Sequence, residues 1–288
     1  MSLAKILAPL TGTPRDEIVL ATAFAAAKPF NAHVAALFVH PDPRLAVPFV
    51  GVPVSPDVVQ DIVNASEEIA KTAEHRVRDS LKAAAAKAGA ALVDRPKKAD
   101  TVTCSLRRAQ GAYFRAVAQA AELSDVVAFG VIAGPDSVEL SEGFIEVLTR
   151  SGRPILLSAE APADIARRVV LGWDGGASAA RAVSAALPFL KKAENIVVLS
   201  IKRSGQQNGT DFAGLCEFLG LHGLSVTEQT VDQNSRPIGE ALLHGAALAG
   251  ADLLVMGAYG RGPLRESVFG GATSHIRSHA TLPIFMAH

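Results

Sequence analysis

The chain has 288 residues, 49% of them hydrophobic and 19% charged, and its 28 basic and 28 acidic side chains cancel to a formal net charge of +0. That balance excludes the broad positive field on which non-specific nucleic-acid binding relies, and an aromatic content of 5% leaves few rings for base stacking. No apolar run approaches the roughly 20 residues of a membrane span, and the length leaves room for two domains. Met1-Ser-Leu-Ala runs straight into a strand-like segment with no cleavable signal pattern, and the two cysteines, Cys104 and Cys216, lie in different halves without CxxC spacing. A cytoplasmic chain with reduced, core-packed thiols is the expectation, with neither nucleic acid nor membrane as partner.

Lys5-Ile-Leu-Ala-Pro-Leu10 is a short apolar run closed by the turn residues Thr11-Gly-Thr-Pro14. From Asp16 the positions Ile18, Ala21, Phe24 and Ala25 carry a helix to Lys28, and His33–Val39 is a second apolar strand. Strand, helix and strand at this spacing make a βαβ unit, hence a parallel sheet with right-handed crossovers. Residues 41–56 are rich in proline yet apolar, which predicts a surface loop or, alternatively, a flap over a pocket or part of a subunit contact. A long helix rich in Ala, Glu and Lys with one buried stripe is predicted from Asp57 to about Ala88. Strands follow at 101–106, 125–129 and 154–157, separated by helices at 112–122 and from near Leu140 through Thr149.

The pattern then restarts. Arg168-Val-Val-Leu171 repeats Lys5-Ile-Leu-Ala8, Ser178–Phe189 replaces the first helix, and Ile196–Ile201 is strand two again. Asp252-Leu-Leu-Val-Met-Gly257 lies over Asp125-Val-Val-Ala-Phe-Gly130, and Leu282-Pro-Ile-Phe285 over Arg153-Pro-Ile-Leu156. The chain is a tandem duplication with its boundary near Glu160-Ala-Pro-Ala-Asp164. This defines domains at 1–162 and 163–288, the first longer between strands two and four. The expected class is α/β: two tandem doubly wound domains, each an open five-stranded, mainly parallel sheet with helices on both faces.

In such sheets ligands sit beyond the carboxyl ends of the strands. The stretch Gly257-Ala-Tyr-Gly260-Arg261-Gly262, continuing to Gly270-Gly271-Ala272-Thr273-Ser274, leaves strand four of the second copy at that edge, and Asp174 leaves strand one beside it. Glycine amides near a helix N-terminus, the hydroxyls of Thr273 and Ser274, and the charges of Arg261 and Arg265 make a plausible phosphate cradle. Asp174 has the acceptor chemistry for a ribose hydroxyl or an exocyclic amine. Turns and a helix cap are the other reading of the same residues. Neither a P-loop GxxxxGK[ST] nor a dinucleotide-binding GxGxxG after a first strand is present.

Gly257, Gly260 and Gly270 keep the spacing of the nucleotide motif of the universal stress proteins, and the whole chain resembles a tandem member of that family. The motif ordinarily places Ser or Thr after the distal glycine, where this chain has Gly271. The resemblance implies an adenine nucleotide alpha hydrolase-like fold and bound ATP, with Mg²⁺ held mostly by its phosphates and by water. It further implies that Asp174, in Gly172-Trp-Asp-Gly175, meets the adenosine and that Ile201 lies against the base. The nucleotide-binding set is thus Gly172, Asp174, Ile201, Gly257, Gly260, Arg261, Gly262, Gly270, Gly271, Ala272 and Thr273. The first copy lacks the aspartate in its turn and, three residues after Gly130, has Ala133 where the motif needs its second glycine, so it is expected to serve as a pseudo-twofold partner rather than a second ATP site. Intrachain domain pairing and a homodimer follow from the same resemblance.

His275 and His279 are four apart on a predicted helix, and His244 and His288 are candidate additions, but two imidazoles without a carboxylate are thin evidence for a metal. No Ser-His-Asp, Cys-His or GxSxG arrangement has recognisable spacing, and Asp174 is the one convincing base. The sequence therefore predicts a stress-response ATP-binding, signalling protein with at most slow hydrolysis. The alternatives are a ligand-free adaptor or chaperone-like protein and a nucleotide-dependent hydrolase or transferase.

Overall fold

A computed structural model describes residues 2–42, 55–132, 137–202, 212–260 and 271–288. Most of the Pro-rich stretch 41–56 lies outside them, as do Arg261, Gly262, Arg265 and Gly270.

In the first half, β1 (Lys5–Leu10) leads through α1 (Asp16–Ala27) to β2 (His33–His40). The long α2 (Pro56–Ala88) follows, then β3 (Ala91–Leu92), β4 (Thr103–Gln110), α3 (Tyr113–Ala121), β5 (Val126–Gly130), α4 (Ser137–Glu146) and β6 (Ile155–Ser158). α2 starts at Ser55, whose hydroxyl accepts the Val58 N–H at 3.5 Å, carries Pro within its first turn, and ends at Gly89 with φ 65°. Its stripe of Ala70, Val77, Leu81 and Ala85 is buried, as the three- and four-residue spacing requires. The second half runs β7 (Arg168–Gly172), α5 (Ala177–Leu190), β8 (Asn195–Lys202), α6 (Phe212–Leu221) and β9 (Thr227–Asp232). It closes with α7 (Ile238–Leu248), β10 (Leu253–Gly257), α8 (Gly271–His279) and β11 (Ile284–Ala287).

The two halves do not form separate open sheets. One eleven-stranded sheet runs in the order β3-β4-β2-β1-β5-β6-β11-β10-β7-β8-β9. Every pairing within a half is parallel. At the junction β6 and β11 pair antiparallel, Ile155 with Met286, Leu156 with Phe285 and Leu157 with Ile284. These strands are short, apolar and wholly buried, and each left as a free edge would offer unpaired backbone to any other strand. Pairing them removes both edges. The two-residue β3 has no counterpart in the second half.

α1, α2, α5 and α6 cover one face through Leu20, Phe24, Leu81, Val183, Phe189 and Leu219. α3, α4, α7 and α8 cover the other through Val117, Phe144, Leu242 and Ile276. Phe189 meets Phe30 of the first half at 5.4 Å and Phe285 at 5.8 Å, both edge-on, so one aromatic cluster spans the junction.

The duplication is visible in a carboxylate clamp. Asp125 accepts the N–H of Ala4 at 2.7 Å and of Lys5 at 2.9 Å, and Asp252 accepts those of Arg167 at 3.2 Å and Arg168 at 3.1 Å. Each ties the start of the first strand to the start of the fourth, and together they set Lys5 over Arg168.

His33 is 6% exposed, with Nδ1 2.8 Å from Thr103 Oγ1 and Nε2 2.9 Å from Ser105 Oγ. Burial, then the nearby Lys5 charge, hold its pKa below the usual imidazole value. The unfolded chain therefore binds the proton first as pH falls, and the stability that neutral His33 contributes above its unfolded pKa is lost down through the folded one. Urea unfolding between pH 7 and 5 is expected to show a slope of at most about 1.4 kcal/mol per pH unit from this group, absent in His33→Gln.

Candidate functional site

β7 and β10 are neighbours, but the chain leaves them toward opposite faces, β7 into α5 and β10 toward α8. This is the topological switch point at which open α/β sheets hold ligands. After β7, Asp174 is exposed and turns back on itself, Oδ1 accepting the Gly176 N–H at 2.8 Å, while Gly175 takes φ 72°. After β10, Gly260 reaches the same place. A Cβ on Gly260 would stand 3.7 Å from Ser178 Cβ and 4.0 Å from Asp174 Oδ2. The structure thus brings together the two loops that the sequence places at one edge.

The glycines of the stretch serve different ends. A Cβ at Gly257 would lie 2.5 Å from Ala179 N and 2.7 Å from Ser178 C, so bare backbone there is what lets β10 approach the first turn of α5. A Cβ at Gly172 would stand 3.2 Å from Leu242 Cδ2 and 3.6 Å from Met256 Cβ, again a packing constraint. Gly260 and Gly271 have room: the first faces Asp174 and Ser178 at ordinary contact distance, and nothing lies within 4 Å of a Cβ on the second. Gly271, Ala272 and Thr273 are the first described residues of α8. Thr273 is buried, and its hydroxyl accepts the Tyr259 N–H at 3.3 Å, so it also braces the preceding loop. Ile201 is half-buried and packs toward the α7 and α8 face.

Two residues outside the nucleotide-binding set brace the loop. Tyr259 has φ 54°, a left-handed conformation that costs a side-chain-bearing residue about 1–3 kcal/mol. His288 holds it: its ring meets the Tyr259 ring edge-on at 5.9 Å, and its Nδ1 lies 3.0 Å from the Ala258 carbonyl. Burial raises the Tyr259 pKa, with the nearby Arg277 opposing. A tyrosine between two glycines of a motif is the one sequence signal for this position.

The first half fills the same place differently. Asp16, 2% exposed, accepts the N–H of Thr11 at 2.9 Å and of Gly12 at 2.8 Å, and the Thr11 hydroxyl at 3.2 Å. Its carboxylate therefore occupies the turn that an anionic ligand would need. α2 crosses close outside it, so that a Cβ at Gly12 would lie 2.8 Å from Ala73 Cα.

His275 and His279 stack at 4.3 Å, His279 Nδ1 lies 2.9 Å from the His275 carbonyl, and both line a groove of about 520 Å³ between α7 and α8 with Arg236, Glu240 and His244. Among the described residues no three His, Cys, Asp or Glu gather to hold a metal. Cys104 lies wholly in the core, where burial pushes its thiol up to about 11, and Cys216 is half-buried. No helix among the described residues is long and apolar enough to cross a membrane.

No protein-family model matches the sequence, and no curated protein matches it. Solved structures do. The chain superposes on a universal stress protein from Archaeoglobus fulgidus DSM 4304 with a TM-score of 0.65 at 17% identity, over 98% of this chain and 95% of that one. It superposes on a functionally unknown protein from Pseudomonas aeruginosa PAO1 with a TM-score of 0.56 at 14% identity, over 99% and 92%. The molecule is a mixed α/β protein with the universal stress protein fold along its whole length.

Proposed function

We propose that the chain is a tandem universal stress protein that binds one ATP, in the crevice of its second half, and acts as a cytoplasmic stress-response signalling protein rather than a turnover enzyme. The observation that carries this reading is the meeting of Asp174 and Gly260 at the switch point, set against the first half, where Asp16 fills the equivalent turn. The residues present fit a nucleotide. The N–H groups of Gly271, Ala272 and Thr273 would donate to phosphate oxygens, and the missing side chain of Gly260 leaves space beside the Asp174 carboxylate. Mg²⁺ bound to the phosphates would offset their charge. Asp174 would accept from a ribose hydroxyl or a base amine, its orientation held by the Gly176 N–H.

Titration with MgATP is expected to saturate at one nucleotide per chain and to raise stability, by about 2.7 kcal/mol at a hundredfold excess over Kd. Gly260→Val, which fills the space beside Asp174, is expected to abolish that gain. Wild-type protein with no affinity below millimolar ATP would sink the reading and leave the ligand-free adaptor in its place. The antiparallel β6–β11 pairing supports internal pairing of the halves; light scattering of the purified chain tests whether a homodimer forms as well.

A further inference from the structure

Trp173 Nε1 and Ser200 Oγ are buried and meet no hydrogen-bond partner among the described residues. Their backbones are neighbours. β7 and β8 run in register with Gly172 beside Leu199, a pair closed by the Trp173 N–H donating to the Leu199 carbonyl at 3.2 Å, so extending that register sets Trp173 beside Ser200. Residues in register on parallel strands share a face, here the one whose core holds Leu171 and Val198 and against which Trp173 packs.

The first half supplies an internal comparison. With Lys5 over Arg168 and the β1–β2 register pairing Leu10 with Phe38, those two residues are the equivalents of Trp173 and Ser200. Leu10 is 1% and Phe38 3% exposed, both within the core. The half whose turn holds its own carboxylate thus fills these positions with hydrocarbon. The half whose turn opens on Gly260 keeps an indole N–H and a hydroxyl there, one residue before Asp174. Buried polar atoms left without partners destabilise a fold and call for an explanation outside it.

We propose that Trp173 and Ser200 contact the ligand of the second half: the indole N–H donates to a ring nitrogen or carbonyl on the edge of a nucleobase, and the Ser200 hydroxyl takes the neighbouring polar atom. This rests on the nucleotide reading above and adds the residues that meet the base. Trp173 is the one tryptophan of the chain, so ¹⁵N-labelled protein yields a single indole resonance. Saturating ATP is expected to shift that resonance downfield, whereas inorganic triphosphate, which has no base, leaves it in place. Ser200→Ala is expected to raise the Tm of the ligand-free protein, because it removes an unsatisfied hydroxyl, and to weaken ATP binding about tenfold. Trp173→Phe, which keeps a ring but loses the N–H, is expected to weaken ATP by a similar factor. An indole resonance that stays put at saturating ATP, or that moves equally with triphosphate, overturns the base contact while ATP binding itself stands. Failure of wild-type protein to bind ATP overturns both.

Discussion

Gly257→Ala is expected to destabilise the protein by about 1–3 kcal/mol, whereas Gly260→Ala leaves stability unchanged and weakens ATP about tenfold or more. The two glycines belong to one motif, yet their surroundings differ. At Gly257 an added methyl meets the backbone of Ser178 and Ala179 at 2.5–2.7 Å, and neither β10 nor α5 can yield without disturbing the core they share. At Gly260 the nearest atoms stand at 3.7–4.0 Å, and the methyl would project into the crevice beside Asp174. Urea unfolding and equilibrium ATP binding, run on both variants, separate the roles. Equal losses of stability would show that Gly260 is also a packing glycine and remove it from the ligand site.

Asp16→Ala is expected to cost about 2–5 kcal/mol, since it leaves the N–H groups of Thr11 and Gly12 without acceptors in a turn that α2 closes off. pH gives an independent check. Burial raises the Asp16 pKa above the ordinary carboxylate value, outweighing the hydrogen bonds from Thr11 and Gly12 that lower it. In the window between the ordinary and the raised value, the folded protein binds more protons than the unfolded chain. The stability from this group is therefore fully present below the ordinary value and is lost as pH rises through the raised one. Asp16→Asn should lack that slope, so its deficit relative to wild type is expected to be largest at acid pH and to shrink toward neutrality. A deficit that grows with pH would mean that the hydrogen bonds dominate burial.

Much of the fold was legible because apolar periodicity and turn chemistry are local. α2 was expected from Asp57 to Ala88 and runs Pro56–Ala88, since its stripe, Pro and Gly89 act within one helix. The third strand was placed at 101–106 and runs Thr103–Gln110: its outer part carries exposed Arg107 and Arg108, which hide the apolar signal of an edge. β9 carries an equally weak signal, its residues mostly alternating between half-buried and exposed with Val231 packed against the core. Of the nucleotide-binding set, Asp174 and Gly260 meet, Gly271, Ala272 and Thr273 lie at the described start of α8, and Gly172 and Gly257 are also held bare by close packing. Arg261, Gly262 and Gly270 lie outside the described residues.

The sequence by itself determined the duplication, the parallel α/β class and the edge of the sheet at which Gly257–Ser274 emerges, because each follows from the order and period of residues along the chain. Only the tertiary structure decided that β6 and β11 merge two sheets into one, that Asp16 occupies the first turn, and that Trp173 Nε1 and Ser200 Oγ are buried without partners among the described residues. Those facts depend on which distant residues become neighbours. A glycine that spares a helix and a glycine that faces a crevice are the same letter until the atoms opposite them are known.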